Sequence, residues 1–219
     1  MTSKKQDSRQ PIDITAPNWH YEASTGANRV AGVDEAGRGP LAGPVVASAV
    51  ILDPNNIPDG LNDSKKLSET KREVLFDILM SCADVGIGIA EPEEIDRINI
   101  LHATMSAMQR AVADLPKPPD AILIDGNRCP SFTIPVQAIV KGDAKSLSIA
   151  AASIIAKTVR DRLMKQADGR FPGYGHTGHK GYPTKAHRAA LQEIGASPIH
   201  RRSYAPVRDV LPDMDALAR

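Results

Sequence analysis

Two apolar runs that each end in a carboxylate constrain this chain most. Val30-Ala31-Gly32-Val33 runs into Asp34-Glu35, and Ala121-Ile122-Leu123-Ile124 runs into Asp125. Short apolar runs closed by turn signals read as buried strands, and Gly37 and Asp125-Gly126-Asn127 supply those signals. Acids that finish buried strands lie together at one edge of an α/β sheet. Neighbouring strand residues face opposite ways, so Asp34 and Glu35 share a site only where the strand bends or ends, which Gly37 permits. Several carboxylates in one place repel one another unless cations lie between them, and hard oxygen ligands suit Mg²⁺ or Mn²⁺. Asp143 and Asp161 compete to be a further member. Asp143 precedes a helix and doubles as a cap, whereas Asp161 has Lys157 and Lys165 at i−4 and i+4. The local compensation of Asp161 makes Asp143 the preferred choice.

The 219 residues, 42% apolar and 24% charged, suit one domain with a substantial core. Residues 1–28 read as a flexible extension, with Trp19 and Tyr21 tacking its end to the core, and 29–207 as the folded domain. Residues 208–219 read as a tail. Within the domain, strands are expected at 29–35, 45–52, 85–90, 121–125 and 136–140. Helices are expected after Ser68, after Pro92, over 100–115, over 144–165 and after Pro183. Strands come first and helices interleave later, which gives a mixed rather than a strictly alternating α/β pattern. The longest apolar runs, 45–52 and 149–156, fall well short of the roughly 20 residues that span a bilayer. The two cysteines make no disulfide framework, and no apolar stretch follows the early lysines, so a cytoplasmic location is expected.

Gly37-Arg38-Gly39 after a strand invites a dinucleotide-binding reading, but Pro40 and Pro44 follow where a helix should open. The near-neutral net charge of +1 is a cancellation. From Arg160 to Arg208, ten basic residues stand against Asp161, Asp168 and Glu193, a local charge of +7 that leaves −6 for the rest. That asymmetry fits a polyanion-binding face beside an acidic, cation-holding site. His176, His179, His187 and His200 fall in the basic segment at no known zinc spacing and with no cysteine nearby, so packing or phosphate contact is expected of them.

The stretch from Ala31 to Val45, AGVDEAGRGPLAGPV, resembles the N-terminal signature of ribonuclease HII, the bacterial type 2 ribonuclease H. Segments around Asn62-Asp63-Ser64-Lys65-Lys66-Leu67, Lys141-Gly142-Asp143, Ala151–Lys157, His179–Thr184 and His200–Tyr204 are similar to that family in family order. The resemblance implies a ribonuclease H-like α/β fold, a central mixed five-stranded sheet flanked by helices. It implies a monomer that binds no membrane. It also implies an endonuclease that cuts the RNA strand of RNA/DNA hybrids and incises duplex DNA 5′ to single embedded ribonucleotides, leaving 5′-phosphate and 3′-hydroxyl ends. Asp34, Glu35, Asp125 and Asp143 would hold two Mg²⁺ or Mn²⁺ ions about the scissile phosphate. Gly37, Arg38 and Gly39 would meet the ribose 2′-hydroxyl, Tyr182 would stack on the sugar at the RNA-to-DNA junction, and Asn62, Ser64, Lys65 and Lys180 would hold backbone phosphates.

Overall fold

The structure, a computed structural model, describes residues 16–212. Five strands, β1 (Val30–Ala36), β2 (Val45–Ile51), β3 (Asp84–Ala90), β4 (Ala121–Asp125) and β5 (Val136–Ile139), form one mixed sheet in the order β3-β2-β1-β4-β5. β2 runs antiparallel to both β1 and β3, whereas β1, β4 and β5 are mutually parallel. Helices α1 (His20–Ser24), α2 (Glu69–Cys82), α3 (Pro92–Ala113), α4 (Leu147–Arg170), α5 (His176–His179), α6 (Lys185–Ile194) and α7 (Ala205–Arg208) complete the fold.

The strand alternation sorts the helices onto two faces. Ala31 and Val33 of β1, with Val45, Ala47 and Ala49 of β2, pack against Ile95, Ala103, Ala107 and Ala111 of α3. Val50 on the other face meets Leu75 and Leu79 of α2 and Ala151, Ile154 and Ile155 of α4. Gly32 lets α4 lie directly on β1, because a Cβ there would stand 2.1 Å from the Ser148 carbonyl carbon. This close approach brings the residues around α4's N-terminus next to the ends of β1 and β4.

Several expectations sharpen. The two helices read after Pro92 and over 100–115 are both present and meet at a kink, where Asn99 at φ +66° is not helical. Its Oδ1 accepts from Leu101 N–H (2.9 Å) and His102 N–H (3.2 Å), which caps the second half. The long helix begins at Leu147 rather than Ala144, with Ser146 as its cap and a separate 3₁₀ turn over Gly142–Ala144. Thr184, not Pro183, opens the next helix, accepting from His187 N–H.

Residues 1–15 and 213–219, most of the expected extension and tail, lie outside the described residues. The end of the extension is tacked to the core as expected of Trp19 and Tyr21, which pack on two buried clusters, and it carries the short helix α1. Glu22 of α1 is buried, and its Oε1 accepts from Ser146 Oγ (2.6 Å) and Ser148 N–H (2.8 Å). A carboxylate is thus docked on the α4 N-terminus, where exposed N–H groups and the helix dipole favour negative charge. No described helix is long and apolar enough to cross a membrane.

Candidate active site

Parallel pairing sets two of the acids side by side. Val33 of β1 is in register with Ile124 of β4, so the next residues of the two strands are Asp34 and Asp125. Asp34 lies on the α4 face with Gly32 and is buried, its Oδ1 accepting Glu35 N–H at 2.7 Å. Glu35 alternates to the α3 face, where it lines a cavity of about 250 Å³ with Arg38, Leu101, Met105, Asp125 and Arg128. Asp125 Oδ1 accepts the Gly142 N–H at 2.6 Å, which ties β4 to the turn carrying Asp143.

The four carboxyls feel one another. Burial, reinforced by Glu35, Asp125 and Asp143, pushes the Asp34 carboxyl well above the ordinary aspartate range. Burial raises Glu35, partly opposed by Arg38, whose Nη1 lies 3.3 Å from Glu35 Oε1, while Asp125 adds to the rise. Asp143, 8% exposed, is raised by burial and by Asp125 and Asp63. Burial pulls the Lys65 ammonium down, but Asp34, Asp143, Asp63 and Asp125 outweigh it and hold the group above the usual lysine value. Lys65 and Arg38 together cannot neutralise four carboxylates, and the donor atoms are all hard oxygens, so the set fits divalent cations such as Mg²⁺ or Mn²⁺. Asp161 lies apart, paired with Lys157 Nζ (2.8 Å) and Arg72 Nη2 (3.5 Å). Lys157 is the local partner expected of it, whereas Lys165 pairs with Glu69 instead and Arg72 of α2 supplies the second cation.

The remaining residues read from the sequence divide. A Cβ on Gly39 would stand 3.6 Å from Tyr182 Cε1, so the half-exposed Tyr182 ring faces the Gly37-Arg38-Gly39 loop. Gly37 has φ +98°, and a side chain there would collide with Arg160. Lys65 is exposed and close to the acids, whereas Ser64 is buried with its N–H on Ser153 Oγ (3.3 Å). Asn62 Oδ1 accepts the Asp63 N–H at 2.9 Å. Lys180, at φ +50°, bonds through Nζ to the Thr177 carbonyl and lends its own carbonyl to Arg160.

Sequence reasoning missed the function of two arginines. Arg160 and Arg201, counted in the basic segment, are 1% and 0% exposed and offer no surface charge. Arg160 donates to the carbonyls of Pro44 (3.1 Å), Ala42 (3.2 Å) and Lys180 (3.0 Å). Arg201 donates to those of Gly37 (2.5 Å), Arg38 (2.8 Å) and Gly43 (2.9 Å). Together they fasten the glycine loop to the segment bearing Tyr182. A loop with so many glycines and prolines carries orphan carbonyls, and that excess is the signal that asks for buried donors. Arg162 and Lys165 are also spoken for, paired with Glu73 and Glu69.

The ribonuclease HII family model matches residues 31–207. The chain belongs to the ribonuclease HII family. It is 67% identical to the ribonuclease HII of Maricaulis maris (strain MCS10) over 184 residues, 84% of each chain. It is 56% identical over 206 residues to that of Ruegeria pomeroyi, covering 92% of this chain and 88% of the relative. The crystal structure of the ribonuclease H2 from Pyrococcus horikoshii OT3 superposes with a TM-score of 0.70 at 32% identity, over 83% of this chain and 96% of that one. The fold is therefore the ribonuclease H-like fold, and the chain is a ribonuclease H with endonuclease activity on nucleic acid.

The histidines pack, as expected, and the packing has a pH consequence for the family fold. His176 is stacked on Tyr174, with both ring nitrogens buried and without a hydrogen-bond partner among the described residues. Burial, with His187 and His179 adding, pushes His176 down to about 4, and burial with His187 pushes His200 down to about 3. The unfolded chain takes up these protons near pH 6.5 while the native state refuses them. Stability is therefore lost as pH falls below about 6.5, by roughly 2–3 kcal/mol per pH unit for the two together. Urea midpoints at pH 7 and pH 5 measure this. His176→Phe, which keeps the stack and removes one refused proton, should remove about half of the slope that these two histidines contribute.

Proposed function

We propose that this chain hydrolyses the RNA strand of RNA/DNA hybrids and incises duplex DNA 5′ to a single embedded ribonucleotide, acting as a monomer. In this reading Asp34, Glu35, Asp125 and Asp143 hold two divalent ions, Mg²⁺ or Mn²⁺. What supports it is the adjacency of Asp34 and Asp125 in the parallel pair β1–β4, with Glu35 and Asp143 each feeling the Asp125 charge and Asp34, Glu35 and Asp143 each raised by burial. Bound divalent ions supply charge for the attacking water and for the departing 3′ oxygen.

The chain's own groups do the rest. Gly37 and Gly39 keep the loop narrow, so its backbone reaches the ribose and its 2′-hydroxyl, the group that separates RNA from DNA. Arg38 stands beside Glu35 and counters charge near the acids. Tyr182 offers an exposed ring next to that loop for stacking on the following sugar. Lys65 and Lys180, with the polar Asn62 and Ser64 segment, position backbone phosphates without reading sequence.

Cleavage of a long hybrid, with and without a chelator, tests the coarse part of this reading. Strand scission confined to the RNA and abolished by chelation is expected, and scission that persists in the chelator contradicts it. For junction reading, Tyr182→Ala should lower kcat/KM on a duplex with one ribonucleotide roughly tenfold more than on a long hybrid, the loss of one stacking contact. Equal losses favour the alternative of a hybrid-only ribonuclease H.

A further inference from the structure

Behind Tyr182 lies a group of rings formed by the buried Tyr174, His176, His187 and His200 and the partly buried His179. The His179 and His187 rings stack with centroids 4.3 Å apart, and His187 and His200 centroids are 5.2 Å apart. His187 and His200 are 0% and 1% exposed. Their hydrogen bonds form a chain whose direction is fixed by its first donor. The Ser197 N–H points at His200 Nδ1 (3.0 Å), with Ser197 Oγ 2.8 Å from the same nitrogen, so that nitrogen carries a lone pair. The Tyr182 carbonyl at the far end of the chain, which can only accept, requires the same. A neutral His200 then bears its proton on Nε2 and donates it to His187 Nε2, 3.0 Å away. His187 in turn bears its proton on Nδ1, which donates to the Tyr182 carbonyl at 2.9 Å. Burial favours the neutral form of both rings.

The same nitrogens could suggest a metal site, since His176, His179 and His187 each bring one ring nitrogen to within 4.8 Å of the others. Their lone pairs are largely committed. His179 Nδ1 accepts the Gly181 N–H (3.1 Å), so its Nε2 is the donor to the Tyr174 carbonyl (2.8 Å). His187 Nε2 accepts from His200. A cation would have to displace these contacts, whereas the observed chain satisfies every nitrogen of His179, His187 and His200.

The turn held by this chain needs holding. Lys180 at φ +50° and Gly181 at φ +82° place two successive residues in the left-handed region immediately before Tyr182. The first of these is disfavoured for a side chain. The Tyr182 carbonyl receives a second bond from Thr184 N–H at 2.8 Å, and the Gly181 carbonyl receives Leu41 N–H at 2.8 Å, which joins the turn to the glycine loop.

We propose that His187 and His200 are positioning residues for Tyr182. The imidazole chain that starts at Ser197 and ends on the Tyr182 carbonyl sets where the Tyr182 ring stands against Gly39, and so sets the preference for an embedded ribonucleotide over a continuous hybrid. This inference rests on the junction role given to Tyr182 above.

Loss of the Nδ1–H donor should lower the ratio of kcat/KM on a single-ribonucleotide duplex to kcat/KM on a long hybrid. His187→Leu is expected to reduce that ratio roughly three- to tenfold, the weight of one buried hydrogen bond. His187→Asn, whose amide nitrogen branches from Cγ as Nδ1 does, should restore most of it. A merely structural role lowers activity on both substrates together and leaves the ratio unchanged, which would overturn the proposal. Tyr182→Ala, measured alongside, separates the two claims. If it leaves the ratio unchanged, the junction role fails and takes the proposal with it. If it changes the ratio while His187→Leu does not, only the positioning claim fails. Histidine ¹⁵N spectra of the wild-type protein give a readout independent of folding defects in the variants. Nδ1–H on His187 and Nε2–H on His200 and His179 are expected, and any other tautomer for His187 or His200 overturns the chain. Zn²⁺ added alone should leave these signals in place, and its capture by the three rings would replace the positioning role with a metal site.

Discussion

Asp34→Asn should abolish cleavage while making the metal-free protein more stable. Asp34 is raised first by burial and then by Glu35 and Asp125, so its charged form is a cost that the fold carries for the site. Asparagine keeps the Oδ1 that accepts Glu35 N–H at 2.7 Å and removes the charge. Loss of one ligand carboxylate costs several kcal/mol of charge stabilisation in the reaction, a fall in kcat of about 10³-fold or more. In the chelated protein near neutral pH, relief of repulsion worth about 1 kcal/mol raises Tm by roughly 2–4 °C. The pH dependence has the matching sign. Folded Asp34, Glu35 and Asp143 keep their protons to higher pH than the unfolded chain does, so the metal-free native state loses stability as pH rises from the ordinary carboxylate range through their raised values. Divalent ions should reverse that loss in the wild type by binding the native state, and do so less in Asp34→Asn. Melting curves with chelator and with Mg²⁺ measure both effects. A lower Tm for chelated Asp34→Asn would contradict the electrostatic account of the site.

Arg201→Ala should be among the most damaging substitutions outside the acids. The guanidinium is wholly buried and spends its donors on the Gly37, Arg38 and Gly43 carbonyls and on Tyr204 Oη (3.1 Å). Removing it leaves a cavity and takes the buried donor from the Gly37 and Gly43 carbonyls, while the Arg38 carbonyl keeps only the Tyr204 hydroxyl, a loss of about 3–5 kcal/mol. For a domain of this size that lowers Tm by roughly 10 °C. Arg201→Lys should recover little, because a point ammonium cannot reproduce a planar fork across three acceptors. Below the lowered Tm, the folded fraction should still cut poorly, because the loop proposed to meet the ribose has lost its anchor. Thermal melts and hybrid cleavage at a temperature where both proteins are folded separate the two losses. Full activity in folded Arg201→Ala would show that the loop holds its shape without this anchor.

Much of the fold was legible because its signals are local. The apolar runs ending in Asp34 and Asp125, the Ser68 cap and the Pro92 start each depend on a few neighbouring residues, and the strands and helices they predict are present within a few residues. The meeting of Asp34 with Asp125 was legible only as an edge of a sheet, since parallel pairing of β1 with β4 is a long-range fact. Charge along the chain was the weaker guide. The basic count between Arg160 and Arg208 included two arginines whose partners, the carbonyls of residues 37–44, lie more than a hundred positions away. Glu22 shows the same limit, because a polar segment gives no sign that one of its acids will cap a helix beginning at Leu147. The histidine spacing excluded a known zinc pattern, but ring direction and tautomer depend on backbone donors such as Ser197 N–H, which only the folded turn brings into line.

The most direct test of the central claim is incision of a DNA duplex carrying one ribonucleotide, with products sized to the nucleotide and their ends identified. With Mg²⁺ or Mn²⁺, a single cut on the 5′ side of the ribonucleotide leaving a 5′-phosphate and a 3′-hydroxyl is expected, and no cut in the same duplex made wholly of DNA. An enzyme that cleaves long hybrids but leaves the single-ribonucleotide duplex intact under both ions would contradict the junction-reading role proposed for Tyr182 and the Gly37-Arg38-Gly39 loop.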